Sequence, residues 1–189
     1  MGINVLDAGK FLKINLKMSY VRDVKKLSMK IFETVNKEFL AFFITGFSVI
    51  IDQVTKYFVA LNKESIYPSL EIFSWFNFVY VENRGISFGI LSKFDISFYL
   101  GLISFFISFY IIYLLKKSKK IIEKIALSLI LGGALGNGID RVFREYVIDF
   151  IDISFNYLHW PAFNIADSSI TLGGILYFWL IIFKKNQLN

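Results

Sequence analysis

Near position 39 the chain changes character. Before it, charged and apolar residues intermix. Beyond it, the apolar residues run together in four stretches of about the 20 residues that a helix needs to cross a bilayer. These are Phe39–Leu61, interrupted by Asp52 and Lys56; Ile96–Leu115, without a charge; Ile121–Ile139, with Glu123 and Lys124 at its entry; and Ala162–Phe183, whose only charge is Asp167. Lipid offers no hydrogen-bond partners to the backbone, so each stretch predicts a helix. The fold class expected is an integral membrane protein, mainly α, with four transmembrane helices and a small extracytoplasmic β-sheet and loop region. Gly132 and Gly136 form a GxxxG step on the third stretch, a spacing that lets helices approach closely.

Orientation follows from where lysine and arginine collect. Lys10, Lys13, Lys17, Arg22, Lys25, Lys26, Lys30 and Lys37 precede the first span, Lys116-Lys117-Ser118-Lys119-Lys120 joins the second to the third, and Lys184-Lys185 follow the fourth. All three regions are expected in the cytoplasm, with both termini. The connections at about 62–94 and 141–161 then lie outside. Trp75, Tyr80, Tyr146, Tyr157 and Trp160 in them suit the headgroup region. The aromatic and β-branched run Ile72–Tyr80 reads as a short strand pair, with a turn at Glu82-Asn83-Arg84-Gly85. The domain organisation expected is a basic cytoplasmic arm at 1–37, a four-helix membrane domain at 38–185 and a short cytoplasmic tail at 186–189. The arm lacks the apolar core of a signal peptide. It reads as a solvated arm, as a membrane-surface helix, or as residues ahead of a true start at Met18 or Met29, and the sequence leaves these open.

Composition narrows the chemistry. Of 189 residues, 56% are hydrophobic, above the ~45–50% of soluble domains. There is no cysteine and a single histidine, His159. Thiol catalysis, disulfides and Cys- or His-based metal clusters are therefore excluded, and no cofactor or metal is expected. The net charge of +6 belongs to the cytoplasmic flanks, so no nucleic-acid partner is expected either. Carboxylates, amides, hydroxyls and Lys/Arg are what remain.

Charges at membrane depth cost ~2.5–3.5 kcal/mol each on insertion scales, which makes them functional suspects. Asp52 and Lys56 are i and i+4, on one helix face in the favourable acid-first order. They read equally as a self-neutralising structural pair or as support for a polar site. The third span ends with Asn137, Asp140 and Arg141; Asp149 follows among apolar neighbours; Asn164 and Asp167 are i and i+3 at the start of the fourth span. In the expected topology these groups converge near the outer face. Asp149 and Asp167 fit an aspartic mechanism. Two carboxylates sharing a site hold one proton between them, the ionised member activates water, and the protonated member donates to the scissile carbonyl. Asn137, Arg141 and Asn164 would hold the carboxylates or bind substrate backbone. The alternative is a proton- or ion-coupled membrane transporter using the same aspartates. Gly85-Ile86-Ser87-Phe88-Gly89 matches the GxSxG nucleophile elbow, but that motif needs an α/β sheet and a histidine partner, and it is set aside.

The blocks Asp52-Gln53-Val54-Thr55-Lys56, Asn83-Arg84-Gly85 with Phe88-Gly89, Gly133 to Arg141, Val147-Ile148-Asp149-Phe150 and Phe163 to Ser168 together resemble the ordered motifs of bacterial lipoprotein signal peptidase, signal peptidase II. The resemblance runs from about Phe39 to Phe183. It implies an aspartic endopeptidase of the bacterial cytoplasmic membrane that cleaves diacylglyceryl-modified prolipoproteins just before the lipidated cysteine. It implies Asp149 and Asp167 as the dyad, and Asp52, Lys56, Asn83, Gly85, Asn137, Asp140, Arg141 and Asn164 as binding or supporting residues. It also implies sensitivity to globomycin and an extracytoplasmic β-sheet cradle between the first two spans. Partners expected are prolipoprotein substrates and membrane lipids, with a monomeric enzyme. Ile86 departs from the small residue usual there, and the N-terminal arm is longer than expected for the family.

Overall fold

The computed structural model describes residues 5–85, 96–155 and 158–185, the side chains of 5–22, 184 and 185 excepted. The GxSxG match falls almost wholly outside the described residues, as do Ile86, Tyr157 and the tail 186–189. The chain divides into two compact units, Met1–Phe39 and Leu40–Asn189. The described part of the first is helical throughout and belongs to α1 (Val5–Leu61). Its side chains from Asp23 to Phe39 are exposed, Lys37 partly so.

The second unit contains the rest of α1, then α2 (Lys63–Ile66), β1 (Leu70–Phe73), β2 (Phe76–Asn83), α3 (Ser97–Lys117), α4 (Ile121–Phe143), β3 (Val147–Phe155), β4 (Leu158–His159) and α5 (Ile165–Lys185). Among the described residues, four helices are long and apolar enough to cross a membrane: Asp23–Leu61, Ser97–Lys117, Ile121–Phe143 and Ile165–Phe183. This agrees with the four stretches read from the pattern, and the differences lie at their ends. Helix α4 continues past Ile139 to Phe143, so Asp140 and Arg141 are helical. Helix α5 begins at Ile165 and not at Ala162. Phe163 is instead bridged to β3, with its N–H donating to the Ile151 carbonyl at 3.1 Å.

Helix α4 is the hub. In its most apolar stretch 61% of residues are buried, against 17%, 22% and 11% for the other three. Its small residues explain this. A Cβ added at Gly132 would meet Ser48 of α1 at 2.5 Å, and one at Gly133 would meet the Ala166 carbonyl of α5 at 2.3 Å. The GxxxG step therefore faces α1, and its neighbour Gly133 seats α5. Ala41, Ile111, Leu115, Leu127 and Leu131 make a compact apolar cluster. Phe42, Phe106, Phe109 and Phe178 are exposed, whereas Asp52, Lys56, Asp140 and Asn164 are fully buried. Apolar outside and charged inside is the arrangement that a lipid solvent selects.

A four-stranded antiparallel sheet, in the order β1-β2-β3-β4, packs with these helices. The strand pair expected around Ile72–Tyr80 exists, but its turn is at Ser74-Trp75. Glu82 and Asn83, read as turn residues, are strand residues paired with Ile148 and Val147. Their partner strand lies more than 60 residues away in sequence, and local turn chemistry carries no sign of it.

Candidate active site

Strand β3 supplies the first carboxylate. Asp149 lies in the run Val147–Phe150, buried on both faces. Its neighbour β2 meets β3 in two registers. Phe76, Asn77 and Phe78 face Ile153, Asp152 and Ile151; after an irregularity, Val81, Glu82 and Asn83 face Asp149, Ile148 and Val147. One extra residue on β2 has been absorbed, as in a β-bulge. Because a strand alternates faces every residue, this single insertion decides which side chains reach Asp149. With the bulge, Asn83 shares the face of Asp149, and its amide donates to Oδ2 at 2.9 Å. In the unbroken register Asn83 would point to the opposite face.

Helix α5 supplies the second carboxylate at its N-terminus. The Asp167 N–H donates to Asn164 Oδ1 at 2.9 Å, and the Asn164 N–H donates back to Asp167 Oδ2 at 3.3 Å. This is a reciprocal capping box with Asn164 as N-cap, and it is why the helix starts here. Asp167 is thus a structural residue in its own right, and its first-turn position is favourable for negative charge. Asn164 also donates to Asp149 Oδ1 at 2.6 Å, so one asparagine holds both aspartates. Asn137 of α4 donates to Asp167 Oδ1 at 2.7 Å. Burial, then the charge of Asp167, push the Asp149 carboxyl up to about 6, against the opposing hydrogen bonds from Asn83 and Asn164 and the charge of Lys56.

Beneath the pair lies a buried ionic network. Lys56 Nζ reaches Asp52 at 2.8 Å, Asp140 at 2.7 Å and Asn137 Oδ1 at 2.9 Å. Asp52 accepts from the Ala166 N–H at 2.9 Å, which ties α1 to the first turn of α5. Two carboxylates around one buried ammonium leave excess negative charge, which Arg144 offsets through its ion pair with Asp140. Gln53 donates to Asp140 and to the Gly136 carbonyl, both at 3.1 Å. The sequence reading missed Gln53 and Arg144 as site supports. Each sits one helical turn or less from a flagged residue, but nothing local distinguishes it from a solvated polar side chain. It also missed a cluster on the other face of β3, where Asp152 accepts from Asn77 at 2.9 Å and contacts His159 Nδ1.

Asn83, Asn137, Arg141, Asp149 and Asp167 line a cavity of about 600 Å³ whose other lining residues are mostly apolar, with Ile170, Leu172 and Ile175 of α5 among them. Arg141 donates to the Gly85 carbonyl at 2.9 Å, while its buried Nε has no partner among the described residues. All ten residues singled out from the sequence therefore gather in one region: five on the cavity, Asn164 and Gly85 joined to them by hydrogen bonds, and Asp52, Lys56 and Asp140 in the network beneath.

Known proteins share this fold. A solved bacterial membrane enzyme, determined by the in meso method at 2.3 Å resolution, superimposes with a TM-score of 0.71 at 35% identity, over 79% of this chain and 92% of its own. A second, at 1.9 Å, gives 0.63 at 37% identity, over 75% and 92%. The lipoprotein signal peptidase of Psychromonas ingrahamii is 41% identical over 139 residues, 71% of this chain and 80% of that protein. The lipoprotein signal peptidase of Thermodesulfovibrio yellowstonii is 38% identical over 151 residues, 80% and 95% of the two. The family described as signal peptidase (SPase) II matches residues 44–183. That match takes in the first span from residue 44 onward, the other three spans and every residue of the buried polar site, and the chain belongs to the signal peptidase II family.

Proposed function

We propose that this chain removes the signal peptide from diacylglyceryl-modified prolipoproteins, cleaving the bond before the lipidated cysteine, with Asp149 and Asp167 as the catalytic pair. The observation that carries this is the bridging of the two carboxylates by Asn164 at a cavity whose other lining residues are mostly apolar. A lipid-anchored peptide has this same division, a polar scissile bond beside acyl chains and apolar signal residues.

The chemistry needs no further group. The ionised member of the pair takes a proton from water, whose oxygen attacks the scissile carbonyl carbon. The protonated member donates to the carbonyl oxygen as charge develops there. Collapse of the tetrahedral species breaks the C–N bond; the proton taken from water goes to the departing cysteine amine, and the aspartate that protonated the carbonyl oxygen takes a proton back from a hydroxyl, which restores the pair. The pair shares its protons as a unit. Arg141 Nε, a buried donor without a partner among the described residues, suits a substrate backbone carbonyl. Asn83, Asn137 and Asn164 orient the carboxylates, and Asp52, Lys56 and Asp140 tie α1 and α4 to the first turn of α5, which carries Asp167. Gly85 accepts from Arg141 and helps to orient it.

The basic residues before α1, between α3 and α4 and after α5 support cytoplasmic termini and an active site near the extracytoplasmic face. A monomer suffices, because a single chain supplies the whole pair. Globomycin is expected to compete for the cavity.

The test is cleavage of a diacylglyceryl-modified prolipoprotein by the purified protein and by Asp149→Asn and Asp167→Asn. The expected result is cleavage before the modified cysteine by the wild type alone, with activity down at least about 1000-fold in either folded variant, in line with losing an essential acid–base group. Full cleavage by either variant would sink the pair. An inactive wild type that moves protons or ions across vesicles would favour a transporter.

A further inference from the structure

The first unit carries a face that the cleavage chemistry does not use. Val24, Leu27, Ile31, Phe32, Val35 and Phe39 recur at i, i+3, i+7, i+8, i+11 and i+15, one side of an α-helix. All six are exposed, from 48% at Val24 to 69% at Phe32. Lys26, Lys30 and Lys37 share the opposite side with Glu33, which pairs with Lys37 at 2.5 Å. Over residues 1–39 the eight basic residues outnumber Asp7, Asp23, Glu33 and Glu38, a net +4 of the chain's +6.

The helix Asp23–Leu61 has 39 residues, nearly twice the ~20 that a hydrocarbon core takes up. Leu40–Leu61 is long enough to span alone, which leaves 23–39 outside the core with its apolar side uncovered. A paired second copy is a poor occupant. A heptad seam begun at Val24, Leu27 and Ile31 next meets Thr34 and Glu38, which a coiled coil does not bury. A broad apolar arc with lysines opposite is instead what an interfacial helix shows.

We propose that α1, continuous from Val5 to Leu61, bends near Phe39 at the membrane surface, so that residues 23–39 lie along an anionic phospholipid surface with Val24, Leu27, Ile31 and Val35 sunk at the headgroup–acyl boundary and the lysines among the phosphates. Attraction of basic side chains to an anionic leaflet adds to burial of the apolar face. The surface adds a contact with lipid beyond the cavity, and it needs no step of the proteolysis.

The chain has no cysteine among its 189 residues, so single fluorescent labels can be placed without background. Full-length protein carrying Ile31→Cys, Val35→Cys, Lys26→Cys or Glu33→Cys is put into nanodiscs of phosphatidylcholine with or without phosphatidylglycerol. Phe106→Cys on the lipid-exposed side of α3 reports that reconstitution succeeded. With phosphatidylglycerol, brominated acyl chains should quench the labels at 31 and 35 several-fold more than those at 26 and 33. The contrast should shrink without phosphatidylglycerol, and also when Lys26, Lys30 and Lys37 are together changed to Gln. Equal access of an aqueous quencher to all four positions would overturn the proposal in favour of a solvated arm. Contrast independent of lipid charge would overturn the anionic preference. Shielding at 31 and 35 without bromine quenching would mean a protein partner and would overturn it as well.

Discussion

At the scale of the residue, the proposed chemistry turns on the proton that the pair shares, which the surroundings of Asp149 favour. Its carboxyl is raised to about 6 from an ordinary 3.8. The folded protein therefore holds this proton more tightly than an unfolded chain does, and the carboxylate form is the costly one in the fold. Because the proposed mechanism needs one protonated and one ionised aspartate, kcat/KM should fall as pH rises through about 6. The Asn83 amide donates to the charged form and so works against the rise. Its removal in Asn83→Ala should move the alkaline limb to higher pH, a shift that pH profiles of prolipoprotein cleavage would register. An unmoved limb would mean that Asp149 is not the group titrating. Asp149 and Asp167 were legible in the sequence as carboxylates in apolar surroundings. Gln53 and Arg144 were not, because their value comes only from the partners that the fold brings to them.

At the scale of the element, helix α4 carries the assembly because its glycines allow two neighbours to approach its backbone. At Gly133 a Cβ would lie 2.3 Å from the Ala166 carbonyl, one residue before Asp167. Gly133→Val should therefore displace the first turn of α5, lowering stability by about 1–3 kcal/mol, as overpacking does, and reducing cleavage with it. Gly46 and Gly174 have nothing within 4 Å of an added Cβ. Gly174→Ala should be neutral or stabilising by up to about 1 kcal/mol, since a helix interior prefers alanine. Thermal unfolding of the two variants in one detergent compares them directly. The four helices were readable from hydropathy alone, since length and apolarity are local properties. The ends were less so. Where α5 begins depends on Asn164 and Asp167 capping each other, and where β2 ends depends on β3.

At the scale of the molecule, α1 and α4 meet at one ammonium, and α5 joins them through Asp52 and Asn137. Lys56 links two carboxylates from different helices and the asparagine that holds Asp167. Replacing it with Met keeps much of the volume but leaves Asp52 and Asp140 buried with far less compensation. Breaking a buried pair in this way costs about 3–5 kcal/mol. Lys56→Met should thus fold poorly or melt far below the wild type, whereas an exposed change such as Lys63→Met should be nearly silent. A Lys56→Met protein that melts like the wild type would mean that the network contributes little.

By itself the sequence determined the membrane class, the four spans, the absence of thiol and histidine-cluster chemistry, and the short set of charges able to do work. Each of these follows from what a stretch of chain is made of and what lipid or water will accept. Only the tertiary structure decided which charges serve the cavity and which hold helices together. It joined Asp52, Lys56 and Asp140 beneath the pair, and it bridged both aspartates through Asn164. It also turned Asn83 toward Asp149 by one extra residue in β2. Register, capping and burial are set by segments up to about a hundred residues apart, and no window along the chain contains both sides of such a contact.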